Sequence, residues 1–242
     1  MPLIVEQFIC RTDNYGLLVH DPDTGMTAAI DAPEEAPIAE HLTAHGWNLD
    51  EIFITHHHAD HVEGNIALKR AFGATITGPA MEADRIPGID RTVRGGDKLL
   101  LGDYDIAVME TPGHTLGHIS YLIPKARTAF VADTLFAVGC GRVIEGTMEM
   151  MWDSLLKLAS LPDDTTVYCG HEYTEANIRF ALTVEPGNPD LVSRAAEVKA
   201  LRAEGRMTLP TTIALEKKTN PFLRAGNAER FAELRRRKDA FK

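Results

Sequence analysis

Apolar positions along the chain recur with two different periods, and the switches between them predict the order of elements. Residues 3–10 and 15–20 read as strands around a turn at Asp13-Asn14, and Ala28-Ala29-Ile30 continues that sheet as far as Asp31. From Pro33 to His45 the apolar residues Ala36, Ile38, Ala39 and Leu42 fall at helical spacing, with Gly46 as the stop. The run Glu51-Ile52-Phe53-Ile54 reads as a buried strand reaching Thr55, and Gly64 to Phe72 as a helix closed by Gly73.

The segment 75–133 is strand-rich. Thr75-Ile76-Thr77 is short. Lys98 to Leu101 and Asp105 to Met109 flank Gly102-Asp103-Tyr104 as a hairpin, and Ile119 to Ile123 and Thr128 to Ala132 flank Pro124 to Arg127 as another. Met148 to Leu161 is helical by spacing, and Thr166 to Cys169 reads as the last strand. Beyond it the pattern is helical at 175–182, 189–204 and 227–241. This order predicts a mixed α/β (α+β) protein with sheets packed together and helices outside. A boundary near 170 divides residues 1–170 from a helical portion, 171–242.

Composition narrows the partners. Hydrophobic residues make up 44% and charged residues 25%, ordinary for a globular chain with a sizeable core. The net charge of −10 argues against nucleic acid or an anionic membrane as the main partner. Residues 229–242 depart from it, with six basic side chains against three acidic ones. A solvated helix face is the simplest account of that tail. Three dispersed cysteines, Cys10, Cys140 and Cys169, form no CxxC and fit reduced thiols. The N-terminus shows no basic leader with an apolar core, and no apolar run approaches the ~20 residues of a membrane span. A cytoplasmic location and a monomer are expected.

Thr55-His56-His57-His58-Ala59-Asp60-His61 crowds four imidazoles and a carboxylate behind a buried strand. Such crowding costs desolvation and repulsion unless compensated, and a bound cation is the simplest compensation. In an extended loop His56 and His58 point the same way while His57 faces elsewhere, so Asp60 and His61 offer a second half-site. Three further residues follow apolar strands in the same manner: His114, Asp133 and His171. Each alone also fits a structural role, the histidines as hydrogen-bonded side chains and Asp133 as a cap. Together with the cluster they make five His and two Asp, enough for two ions. His57 and His118 are expected to support the site from outside it or to be partly exposed, and His20, His41 and His45 to lie on the surface.

The strings TDNY (12–15), THHHADH (55–61), TPGHTLGH (111–118), ADTLF (132–136), GCGR (139–142), EGT (145–147), CGHEYT (169–174) and TNPFLR (219–224) run in order along the chain. This series resembles the metallo-β-lactamase superfamily and, more narrowly, the glyoxalase II (hydroxyacylglutathione hydrolase) family. The resemblance implies a four-layer αββα sandwich of the metallo-β-lactamase type with a C-terminal helical domain. It implies two divalent ions, zinc first, with iron or manganese also compatible. His56, His58 and His114 would hold one, Asp60, His61 and His171 the other, and Asp133 would bridge them. Glutathione would meet Arg142, Tyr173, Arg235 and Lys238, the last two on one helix face.

Two positions depart from the family pattern. Val131-Ala132-Asp133 replaces Thr-Gly-Asp, and the added methyl is expected to shift local packing only. Ile144 stands where relatives carry a substrate-contacting Tyr. The implied reaction is hydrolysis of S-(2-hydroxyacyl)glutathione thioesters, such as S-lactoylglutathione in methylglyoxal detoxification. In that reading Asp60 and Asp133 orient the hydroxide held by the ions. The alternatives are a single-iron glutathione persulfide dioxygenase or another thioesterase of the superfamily.

Overall fold

The computed structural model describes residues 1–241; Lys242, counted above in the basic tail, lies outside them. The chain forms two compact units, one of residues 1–110 with 117–130, the other of residues 111–116 with 131 onward.

In the first unit, β1 (Ile4–Cys10), β2 (Asn14–His20), β3 (Thr27–Ile30), β4 (Glu51–Phe53), β5 (Thr75–Pro79) and β6 (Arg91–Val93) make one sheet in sequence order. The first three are antiparallel and the rest parallel. Parallel neighbours require crossovers. These are α1 (Glu35–His45), then α2 (Ala59–Val62) with α3 (Asn65–Phe72), then a 3₁₀ turn at Ala80–Arg85. Helix α1 begins at Glu35, not Pro33, because Glu34 stays extended with its carboxylate accepting from the Arg11 amide at 2.7 Å. It ends where Gly46 takes φ 69° and donates to the Leu42 and Thr43 carbonyls. Ile38, Leu42, Ile52, Ile54, Leu68 and Ile76 form the core between these helices and the sheet.

β7 (Lys98–Leu101), β8 (Tyr104–Glu110), β9 (Ile119–Ile123) and β10 (Thr128–Ala132) form successive antiparallel pairs. Tyr121 on β9 donates to the Ile54 carbonyl at 2.7 Å, and the Ile119 amide to the Thr55 carbonyl at 3.0 Å. The end of β4 is therefore clamped where the His cluster begins. His20, expected on the surface, is buried, with Nδ1 2.9 Å from Thr27 Oγ1 and its ring stacked on Trp47.

The second unit contains a two-residue-per-arm hairpin, β11 (Leu135–Phe136) with β12 (Gly139–Cys140), then α4 (Met148–Ala159) and β13 (Thr166–Cys169). After these come α5 (Thr174–Val184), α6 (Pro189–Ala203), β14 (Thr211–Thr212), α7 (Ile213–Thr219) and α8 (Ala228–Asp239). β13 is thus not the last strand: β14 pairs with it antiparallel. An element of two residues has no period to read, and α7 spans barely two turns. Among the described residues no helix is long and apolar enough to cross a membrane.

A buried ionic network ties α6 and α7 to the hairpin. Glu216 is fully buried and pairs with Arg194 at 2.7 Å. It also accepts from Thr211 Oγ1 at 2.7 Å, the Val138 amide at 2.8 Å and Asn220 Nδ2 at 2.9 Å. Asn220 Nδ2 reaches the carbonyls of Phe136 (3.2 Å) and Gly139 (2.9 Å), and Val138 between them takes φ 56°. The tight β11–β12 turn therefore survives by external hydrogen bonding. Glu216→Ala leaves Arg194 buried without its carboxylate and should cost about 3–5 kcal/mol in urea unfolding. Glu233→Ala, in the exposed Arg230–Glu233 pair, should leave the unfolding midpoint almost unchanged in the same measurement.

Candidate metal centre and substrate cavity

In the first unit the cluster is organised by Asp31, which ends β3 in the left-handed region at φ 59°. Its carboxylate accepts from the Thr55 amide at 2.7 Å, from Thr55 Oγ1 at 2.8 Å and from His61 Nδ1 at 2.8 Å. Since Thr55 Oγ1 spends its proton on Asp31, it accepts from His56 Nδ1 at 3.0 Å. Asp31 thus places the Nδ1 protons of both His56 and His61. In the neutral rings, each Nε2 then carries a lone pair. His56 Nε2 points at His58 Nδ1, 3.2 Å away, and His61 Nε2 lies 3.7 Å from Asp60 Oδ2. Asp60 and His61 sit on α2, a helical turn where an extended loop was expected, and Asn14 Nδ2 holds the Asp60 carboxylate at 3.1 Å.

His57 is directed away. Glu82 Oε2 accepts from its amide at 2.8 Å and lies 2.7 Å from its Nδ1, while Glu82 Oε1 accepts from the Gly117 amide at 2.8 Å. His118 is fully buried, its ring stacked on His56 at 4.8 Å.

The second unit gathers His114, Asp133 and His171. Asp133 Oδ2 lies 3.4 Å from His114 Nε2 and 3.4 Å from His171 Nε2. His114 Nδ1 lies 2.8 Å from the Arg142 carbonyl, which only accepts, so that nitrogen carries the proton. The other ring nitrogen, Nε2, is the one turned toward the Asp133 carboxylate. Close backbone packing holds this loop: Gly113, at φ 144°, sits where a Cβ would meet Met151 Cα at 2.7 Å. At Gly141 a Cβ would meet the Asp133 carbonyl oxygen at 1.8 Å, so only glycine fits beside Asp133. Ala132 takes φ 38°. Its methyl is therefore more than a packing adjustment, because the left-handed conformation costs a non-glycine residue about 1–2 kcal/mol.

In each unit, then, imidazole nitrogens face carboxylate oxygens at 3.4 to 3.7 Å. Imidazole and carboxylate donors are ordinary ligands for divalent transition ions, and a cation between such acceptors removes their repulsion. The residues present fit divalent metal. Thiols do not contribute, because burial pushes Cys10 up to about 12, Cys140 to about 11 and Cys169 to about 12.

A cavity of about 490 Å³ in the second unit is lined by His114, Asp133, Arg142, Tyr173, Arg235 and Lys238, among others. Tyr173 stacks on His171 at 4.7 Å, the rings 2° from parallel, and Phe136 meets both edge-on. Arg235 is buried. It donates to the Cys140 carbonyl at 2.8 Å and to Asp239 Oδ1 at 2.8 and 3.1 Å. Its guanidinium is a fixed wall of the cavity, not a loose arm. Lys238 donates to the Ala176 carbonyl at 3.0 Å. Burial, then the nearby Arg235 and Arg179 charges, lower its ammonium to about 8. Ile144 is exposed and takes no part in the cavity lining. Asn177 and Phe241 also line the cavity, and no sequence signal singled them out. Asp31 did have one: like Asp133, it is an acid directly behind an apolar strand.

Two family models match the chain: the metallo-β-lactamase superfamily over residues 11–171 and the hydroxyacylglutathione hydrolase C-terminus over 172–241. A hydroxyacylglutathione hydrolase of Rhizobium etli is 59% identical, over 99% of this chain and 99% of its own. One of Brucella anthropi is 56% identical, over 99% and 97%. The chain belongs to the hydroxyacylglutathione hydrolase family. Among solved structures, ETHE1 from Myxococcus xanthus superposes with a TM-score of 0.74 at 29% identity, covering 96% of this chain and 90% of that one. The fold is of the metallo-β-lactamase type with a helical C-terminal region, as the hydroxyacylglutathione hydrolase family pattern implied.

Asp31→Asn tests the proton placement. An amide nitrogen facing His61 Nδ1 would push the ring proton to Nε2. Metal affinity, measured against a competing chelator, should fall about 10- to 100-fold while the fold is retained.

Proposed function

We propose that the chain hydrolyses S-(2-hydroxyacyl)glutathione thioesters, with S-lactoylglutathione as the reference substrate. The observation that carries this reading is the single cavity in which Asp133 and His114 share walls with Arg142, Tyr173, Arg235 and Lys238. The lining combines an imidazole and a carboxylate with three cations, matching a thioester carbonyl attached to a carboxylate-bearing peptide. We assign His56, His58 and His114 to one divalent ion, Asp60, His61 and His171 to a second, and Asp133 to both, with zinc the first candidate. Ions held there supply Lewis acidity and lower the pKa of a coordinated water to about 7.

The protein's own groups do the rest. The carboxylates of Asp60 and Asp133 orient the attacking water and receive its hydrogen bonds. The buried Arg235, fixed by Asp239, and the ammonium of Lys238 bind glutathione carboxylate. Arg142 reaches from the exposed rim, and the ring of Tyr173 keeps His171 in plane. The leaving thiolate, with a conjugate-acid pKa of about 8.5, departs without a strong general acid. Residues 1–170 supply most of the metal ligands and 171–242 most of the glutathione contacts, a division supported by family models that meet at 171/172. The three buried free cysteines fit a monomer working in the cytoplasm.

Two measurements test this. Chelator-stripped protein should lose S-lactoylglutathione hydrolysis and regain it with zinc; a metal-loaded protein inert toward the thioester overturns the reading. For Lys238, the charge that binds substrate is present below about pH 8 and lost above it. KM should therefore rise as pH passes about 8, and Lys238→Arg should flatten that rise. Lys238→Ala should raise KM about tenfold or more at neutral pH with kcat little changed. An equal loss in both parameters would mean that Lys238 acts on the reacting centre.

A further inference from the structure

His41 and His45 lie one turn apart on α1, and Glu6 lies on β1. Both imidazoles turn a nitrogen toward one carboxylate oxygen: His41 Nδ1 is 3.0 Å from Glu6 Oε1, and His45 Nε2 is 3.6 Å from it. The three donor atoms lie within 4.8 Å of one another. The rings are held there by stacking. His41 lies parallel to Phe8 at 3.8 Å, and His45 parallel to Trp47 at 4.3 Å. Trp47 also stacks on buried His20 and donates its amide to the Leu42 carbonyl at 2.9 Å, so it is fixed in turn. This is therefore a pre-oriented donor set on the outside of the first unit. It shares no residue with the cluster at 56–61.

We propose that Glu6, His41 and His45 form a further metal site, which takes a divalent transition ion of the zinc, nickel or copper class and clips α1 to β1. The chemistry selects that class. Two imidazoles and one carboxylate with an open fourth position suit these ions, whereas calcium and magnesium require oxygen ligands. The open position belongs to water, since all three side chains remain about one-third solvent-exposed, at 33%, 38% and 29%. Copper(II) binds most tightly of the series.

The test uses the whole chain of residues 1–242 without an affinity tag, already loaded at its other sites. At micromolar free zinc, metal analysis should find one more ion per chain in the parent than in His41→Gln/His45→Gln. Glu6→Gln should weaken that extra ion about tenfold. Because the result is a difference between chains, it does not depend on how many ions the cluster at 56–61 holds. Copper(II) supplies an independent readout through Trp47, one of two tryptophans. In a Trp152→Phe background it should quench Trp47 emission saturably at micromolar concentration, and the double histidine variant should abolish the quenching. Equal ion counts in parent and variant, or no saturable quenching of Trp47, would overturn the proposal.

Discussion

Two hydrogen-bond acceptors do not lie against one another in a dry interior unless a proton or a cation stands between them. Each unit of this protein brings an imidazole nitrogen and a carboxylate oxygen close together, at 3.7 Å for His61 and Asp60 and 3.4 Å for His114 and Asp133. Asp31 fixes the protons of His56 and His61 on the nitrogens that face the protein, and the Arg142 carbonyl does the same for His114. Their second nitrogens are turned toward His58, Asp60 and Asp133. Two of the five non-glycine residues at positive φ, Asp31 and Ala132, fall at these places, and Gly141 is pressed against the Asp133 carbonyl. At both positions the backbone strain sits beside a side chain that the site uses.

The cavity in the second unit divides its cations by freedom of movement. Arg235 is locked by Asp239 and the Cys140 carbonyl, so it sets shape and field but does not follow a ligand. Lys238 is half-buried with one carbonyl contact, and Arg142 is largely exposed. A rigid charge at the back and adaptable charges at the mouth suit a ligand whose carboxylates are flexibly linked to its reacting end.

Much of this was legible in the chain. Strand ends that carry His56, His114, Asp133 and His171 are marked by apolar runs followed by Gly or Thr, and α1 was closed by Gly46 as its spacing required. The supports were less visible. Asp31 carried the strand-end signal but sat alone, so it read as punctuation. Glu82, Glu216 and Arg194 sit in helical turns with nothing periodic to distinguish them from surface charges, and burial alone reveals their role. His20 departs from its surface expectation for a related reason: a polar side chain looks exposed in sequence until the group that satisfies it, here Thr27, is found. Ala132 shows the converse, where a small change in side chain conceals a change in permitted backbone.

The turn between β11 and β12 has a consequence in time. Its amides and carbonyls at Phe136, Val138 and Gly139 are satisfied by Glu216 and Asn220, which follow 78 to 84 residues later. A ribosome adding residues from the N-terminus exposes the Asp133 segment well before those partners exist. The residues of the 56–61 cluster are therefore made before the two side chains that complete the hairpin beside Asp133.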